Sequence, residues 1–363
     1  MVKMQRKQYF IILLCIILIA FWIHSSSNKE LNNTIEFLES RSNSFQSSYL
    51  LQPKKPFCSG NPLFIIVVTS YVSHVELRSA HRRTVSNAEL QDLNVKRVFL
   101  LGAIPKQEKF ITQEAIKDEF NIYGDILQGA FTENYRNLTT KNLMGLQWVA
   151  NMCHDASFIL KVDDDTVFNF NITYQFILEL SHTVPNRDSF LMGYMLNNTI
   201  PRRNKQNKWY VTYEEYPRSI YPPYLSGWYY ITTPNTASRI CEEVIYHQKF
   251  WIDDIFITGI VVESLGIKLR HLPNNFWLQY YELLECCLKD VINKNIQCNY
   301  VVGPNGGRNN LILEFNKIVQ KCESNENCKP RSIDQDVHKS CVVSNNREIF
   351  GQGHPEIMSI KLL

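Results

Sequence analysis

The sequence predicts an α/β domain on a mostly parallel sheet, preceded by an N-terminal transmembrane helix, on three observations. Leu63–Val68 is a wholly apolar, β-branched run that reads as a strand buried on both faces, Val95–Leu101 and Ser157–Val162 read as two further strands, and segments of helical character lie between them. Strands alternating with helices imply parallel pairing. Ahead of them, Lys3, Arg6 and Lys7 precede an uncharged stretch whose apolar heart runs from Tyr9 to Ile23.

The apolar stretch at 8–24 is slightly short of the roughly 20 residues that span an average bilayer, but membranes of the early secretory pathway are thinner. A cleaved signal and an uncleaved anchor compete. The run ends in Phe21-Trp22-Ile23-His24, a poor cleavage site, which favours the anchor, while Ser25–Ser27 keep cleavage open. The basic flank places residues 1–7 in the cytosol and the remainder in a lumen. Sequons at Asn32, Asn137, Asn171 and Asn197 agree with translocation. So do ten cysteines, one within the span and nine beyond it, an odd number that leaves one unpaired.

Residues 25–56 are rich in Ser, Asn, Glu and Lys and read as a stem. The globular region is expected at 57–284, with Val75–Leu90 and Thr139–Met152 helical. From 285 to 363 the chain carries six cysteines and reads as a disulfide-bearing C-terminal extension. Composition is ordinary for a globular protein, 45% hydrophobic and 20% charged. A net charge of +3 without a basic stripe excludes nucleic acid as an expected partner.

The sharpest local feature is Asp163-Asp164-Asp165, delivered by the strand Phe158–Val162. Ligands of open α/β sheets bind just beyond the carboxyl ends of strands. Three adjacent carboxylates repel, and a hard divalent cation sharing its oxygen ligands with a diphosphate would relieve that repulsion. A solvated acidic turn is the plain alternative. Asp163-x-Asp165 also fits the opening motif of haloacid-dehalogenase-type phosphatases, with Asp163 as nucleophile, but no GDxxxD motif follows.

Several further motifs occur in one order. They are Arg78-Ser-Ala-His-Arg82-Arg-Thr84-Val85; Val98-Phe-Leu-Leu-Gly102; Glu119 through Tyr123-Gly-Asp125-Ile-Leu127; and Phe131-Thr-Glu-Asn-Tyr135-Arg-Asn137-Leu-Thr139-Thr-Lys141. Then come Lys161-Val-Asp163-Asp-Asp165 with Phe168, Lys208-Trp209-Tyr210-Val211, Tyr221-Pro-Pro-Tyr224-Leu-Ser-Gly227, and Ile252-Asp253-Asp254-Ile-Phe-Ile-Thr-Gly259. Over residues 63–275 the chain resembles the β-1,3-galactosyltransferase family, which includes β-1,3-N-acetylglucosaminyltransferases. It departs from the family pattern at Val85 in place of Trp, Leu225 in place of a frequent Cys, and Gly227-Trp228-Tyr229 in place of G-x-G.

The resemblance implies a GT-A-type nucleotide-sugar-binding fold and an inverting transfer of galactose or an N-acetylhexosamine from a UDP-sugar to a glycan acceptor in β-1,3 linkage. It implies a Mn²⁺ or Mg²⁺ cofactor held chiefly by Asp165, with Asp163, and Asp164 at the ribose or a metal-bound water. Thr69, Ser70, Arg78, Arg82 and Lys161 are the remaining candidates for the UDP pocket, arginine for its fork of phosphate donors. The base is expected at Asp254, with Asp253 as second choice; an N-cap pair opening a helix Ile255–Leu265 is the structural alternative. Trp209, Tyr224, Gly227 and Trp228 are candidates for the sugar pocket, with Tyr221 as a further stacking surface; the histidines are read as structural. The bulky Trp228-Tyr229 pair would narrow donor choice, alter the acceptor or close the site. On the last reading the chain is an inactive lumenal glycan-binding scaffold. The expected setting is a single-pass type II protein of the Golgi membrane, with homodimerisation left open.

Overall fold

The computed structural model describes residues 48–54, 56–184, 188–324 and 328–341. The expected tail, anchor and Asn32 lie outside them. No helix of the described residues is long and apolar enough to cross a membrane.

The sheet is mixed, with a parallel centre. Strand β1 (Tyr49–Leu51) is followed by β2 (Phe64–Thr69), β3 (Val95–Ala103), β4 (Ile126–Thr132) and β5 (Phe158–Asp163). After β6 (Thr166–Phe168) come β7 (Leu191–Leu196), β8 (Tyr224–Thr232) and β9 (Arg270–His271). The spatial order is β1-β4-β3-β2-β5-β8-β7-β9. Neighbours from β4 to β5 run parallel, whereas β8 is antiparallel to both β5 and β7. Every residue of β2 is buried, as its unbroken apolar run requires.

The expected helix Val75–Leu90 is two helices, α1 (Val75–Thr84) and α2 (Asn87–Asp92). Ser86 breaks them by opening a capping box with Glu89, a local competitor that periodicity does not register. Helix α3 (Gln113–Tyr123) starts at a Thr112 cap and stops at Gly124, whose φ of 65° suits glycine. Helices α4 (Leu138–Met152), α5 (Phe170–Thr183) and α6 (Pro234–Glu243) cover the sheet. The expected helix Ile255–Leu265 is present, but its first part, Ile255–Ile260, is a π-helix that continues into α7 (Val261–Ser264).

Both expected borders of the globular region move. Tyr49–Leu51, assigned to the stem, joins the sheet edge beside β4. The described residues after 284 pack into the same core rather than forming an extension. Helices α8 (Tyr281–Lys294) and α9 (Leu311–Glu323) place Leu284, Leu288, Phe315 and Val319 in one core with Phe158 and Leu160, and α10 (Val337–Ser340) adds Val337. Strand β10 (Val302–Pro304) pairs with β6 directly after the aspartates. Among the described residues disulfides join Cys58–Cys153, Cys286–Cys341, Cys287–Cys298 and Cys322–Cys328, so three of these four staple this C-terminal part. Cys241 is the free cysteine among the described residues, and burial pushes its thiol up to about 12.

Candidate active site

Register places the first acidic group at the sheet edge. Thr69, the last residue of β2, stands opposite Asp163, the last of β5, and the Asp164 amide donates to the Thr69 carbonyl at 3.0 Å. The three aspartates diverge. The Asp163 carboxylate is half-buried and accepts from Lys161 Nζ at 2.6 Å. Asp164 is buried, its Oδ2 2.9 Å from His74 Nδ1, while its carbonyl meets His81 Nε2 at 2.9 Å. Asp165 is exposed and has no salt bridge among the described residues; its carbonyl accepts from the Asn305 amide, at the end of β10, at 3.1 Å. Loss of part of its solvation at an otherwise solvent-facing residue, then repulsion from Asp163 and Asp164, raises the Asp165 carboxyl above the ordinary carboxylate range. Among the described residues no three His, Cys, Asp or Glu side chains converge as a ready metal cage.

The second acidic group approaches from β8 and the π-helix. Lys161 Nζ also donates to the Gly227 carbonyl at 2.5 Å. A Cβ built on Gly227 would lie 3.5 Å from Asp254 Cβ, 3.6 Å from Lys161 Nζ and 3.9 Å from Asp253 Oδ2. The absent side chain at Gly227 therefore opens the space where Lys161 of β5 meets both later acids. Asp254 Oδ1 accepts from the Ile255 amide at 2.8 Å, so the capping role exists alongside any chemical one. Burial, then the neighbouring Asp253 charge, pushes Asp254 up to about 7, against the opposing pull of Lys161. Asp253 Oδ2 accepts from Asn142 Nδ2 at 2.5 Å.

The arginines are engaged within the protein. Arg78 is fully buried and spends its guanidinium on Glu119, Ser70 Oγ and the Tyr71 and Val72 carbonyls. Arg82 pairs with Asp125 through two bonds, each below 3 Å, and with Glu119 at 2.7 Å. Both tie α1 to α3, and Arg82 also ties it to the turn before β4. Lys161 is likewise buried and engaged, and the hydroxyl of Thr69 turns inward to Asn142 Oδ1 at 2.6 Å. Ser70 accepts from Arg78.

Trp228 and Tyr229 do not crowd the acids. Between β7 and β8 the register shifts from Gly193↔Tyr230 to Met195↔Leu225, so residues 226–229 bulge opposite Tyr194. The bulge turns Trp228 into the core, stacked on Trp277 at 5.1 Å, with Trp277 in turn stacked on Tyr194 at 4.6 Å. Tyr229 is fully buried and bonds Thr173 Oγ1 at 3.1 Å. Tyr224 is buried, edge-on to Tyr221. Trp209 remains half-buried, with Nε1 donating to Tyr135 Oη at 2.7 Å, while Lys208 Nζ lies 4.2 Å above the Tyr135 ring. Desolvation lowers the Lys208 ammonium, against the pull of Asp165 and Asp163.

Of the sequons, Asn197 is exposed in the loop after β7 and Asn171 is exposed on α5. Asn137 is half-buried, its amide bonded to the Thr132 carbonyl at 2.9 Å, and Thr139 is buried against the Phe250 carbonyl. Sequence reasoning did not single out Asn142 or Asn305, carried Tyr135 only within a motif, and read His74 as structural. Asn142 directly follows the motif ending at Lys141, but no spacing marks it as a partner of Asp253, which is 111 residues away.

A family profile described as Galactosyltransferase matches residues 76–273. UDP-GalNAc:beta-1,3-N-acetylgalactosaminyltransferase 1 of Homo sapiens is 32% identical over 236 residues, covering 64% of this chain and 70% of its own length. Beta-1,3-galactosyltransferase 2 of Mus musculus is 29% identical over 242 residues, covering 66% of this chain and 56% of its own. Among solved structures, the galactosyltransferase LgtC with donor and acceptor sugar analogues overlaps 72% of this chain and 96% of its own at a TM-score of 0.36 and 11% identity.

Proposed function

Because this chain belongs to the galactosyltransferase family and is a glycosyltransferase, we propose that it transfers galactose or an N-acetylhexosamine from a UDP-sugar to a glycan acceptor, in β-1,3 linkage and with inversion. The observation that carries this reading is the meeting at Gly227, where the acidic end of β5 and the pair Asp253-Asp254 stand on either side of Lys161. Inverting transfer needs a departing diphosphate on one face of the sugar and an acceptor hydroxyl losing its proton on the other.

Each residue has a task in that scheme. Asp254, raised to about 7, accepts the acceptor proton; a base poised near the working pH combines availability with driving force. Asp253, anchored by Asn142, stays beside it. Lys161 holds Asp163 and the Gly227 carbonyl together and sets the spacing between the two acidic groups. Exposed Asp165, with Asp163, has the hard oxygen donors that suit Mn²⁺ or Mg²⁺, ions that take one or two protein carboxylates and complete their shell with phosphate and water. When bound, the cation would supply charge for the leaving diphosphate. Trp209 and Tyr135, on the rim near Lys208, offer an aromatic surface for the acceptor.

The four disulfides suit an oxidising compartment, and we place the catalytic unit in the Golgi lumen behind the anchor at 8–24. The inactive-scaffold reading loses its motive, since Trp228 and Tyr229 pack into the core. The test is to incubate the purified full chain with UDP-galactose, UDP-N-acetylglucosamine and UDP-N-acetylgalactosamine, each with a panel of glycan acceptors. Transfer that stops with chelator and returns with Mn²⁺ supports the proposal; no transfer from any donor under Mn²⁺ defeats it.

A further inference from the structure

Asn142 lies on α4, buried, between the two halves of the site. Its amide orientation follows from chemistry. An ionised carboxylate only accepts, so the NH₂ group must face Asp253 Oδ2, leaving Oδ1 to accept from the Thr69 hydroxyl at 2.6 Å. Thr69 is the terminal residue of β2, in register with Asp163. A buried relay, Thr69–Asn142–Asp253, thus connects the strand edge that carries the first acids to the turn that carries the second.

We propose that Asn142 is a positioning residue: it holds Asp253, and through the adjoining backbone Asp254, at a fixed distance from the donor edge of the sheet. The inference rests on the transferase reading of this site and adds to it a residue that touches neither substrate. Two features support the assignment. Asp253 has no salt bridge among the described residues, so the Asn142 amide is its close anchoring donor. Asp254 has its own Oδ1 committed to the Ile255 amide, so its orientation depends on where the start of the π-helix sits, and Asp253 is the adjacent residue of that turn.

The test uses the full chain in three variants, Asn142→Leu, Asn142→Asp and Asp253→Asn, with the double variant Asn142→Leu/Asp253→Asn. A misplaced base costs rate while leaving binding intact, and a displacement of about 1 Å can cost about 100-fold. The expected result for Asn142→Leu is a kcat lower by about that factor, with the donor KM and the affinity for UDP in Mn²⁺ unchanged. Asn142→Asp has the same shape, which keeps the fold testable, and it must also lose kcat because its carboxylate cannot donate to Asp253. Since Asn142 acts through Asp253, the double variant should be no slower than Asp253→Asn alone. Multiplying losses, or a rise in the UDP dissociation constant at unchanged kcat, would overturn the inference. If the wild-type chain itself neither binds UDP nor transfers sugar, the functional reading falls, and this assignment with it.

Discussion

Arg78 and Glu119 form a two-point ion pair inside the protein, Nε to Oε1 at 2.8 Å and Nη2 to Oε2 at 2.7 Å, although 41 residues separate them. Arg82 extends the network from the next turn of α1 to Asp125. Removing one partner of such a pair strands a buried charge, which typically costs about 3–5 kcal/mol. Arg78→Ala should therefore lose most of its stability in urea unfolding, and Arg78→Lys should recover little, because an ammonium cannot reproduce the fork. A variant of unchanged stability with weakened UDP binding would return Arg78 to the nucleotide pocket.

Asp165→Ala removes an exposed carboxylate with no salt bridge among the described residues, so stability should change by no more than about 0.5 kcal/mol. It also relieves repulsion with Asp163 and Asp164. Transfer should be lost at every Mn²⁺ concentration tried, with circular dichroism and the unfolding midpoint as wild type. Residual Mn²⁺-dependent activity near wild type would exclude Asp165 as the principal ligand.

Asp254 should dominate the pH dependence. As a base it works only when ionised; with its pKa raised to about 7, lowering the pH through 7 protonates it and raising the pH restores it. The kcat/KM profile should climb to a plateau above that value. Asp254→Asn should lower kcat by about 10²–10⁴-fold and leave UDP binding intact. A profile that is flat from pH 5 to 8 would rule this residue out as the base.

Trp228→Ala should act as a core truncation. The indole stacks on Trp277 within the main core, and deleting such a ring costs about 3–5 kcal/mol. Donor preference among UDP-sugars should stay as in wild type when assayed below the unfolding temperature. A switch of donor at full stability would instead put Trp228 in the sugar pocket.

Short-range signals in the sequence were enough for the strands and for the acids that end them. A short, mainly apolar run bounded by turn residues reads as a buried strand, and the polar residues at its end must emerge at the end of the sheet. The strands at Phe64, Val95 and Phe158 therefore lie within a residue or two of their expected bounds, and Asp163–Asp165 terminate the third. The ordered motifs likewise carried the family, which the profile over 76–273 shows.

Tertiary structure decided which of those polar groups remain available to a ligand. Motif position cannot show that Arg78 and Arg82 are saturated by Glu119 and Asp125, that a register shift in β8 turns Trp228 inward, or that Asn142 bridges Thr69 and Asp253. Nor does a cysteine-rich composition reveal that residues 302–304 pair with β6 beside the acids. The physical reason is the same in each case. Whether a buried hydrogen-bonding group is satisfied depends on partners brought in from distant parts of the chain, whereas a local pattern reports only the preferences of neighbouring residues.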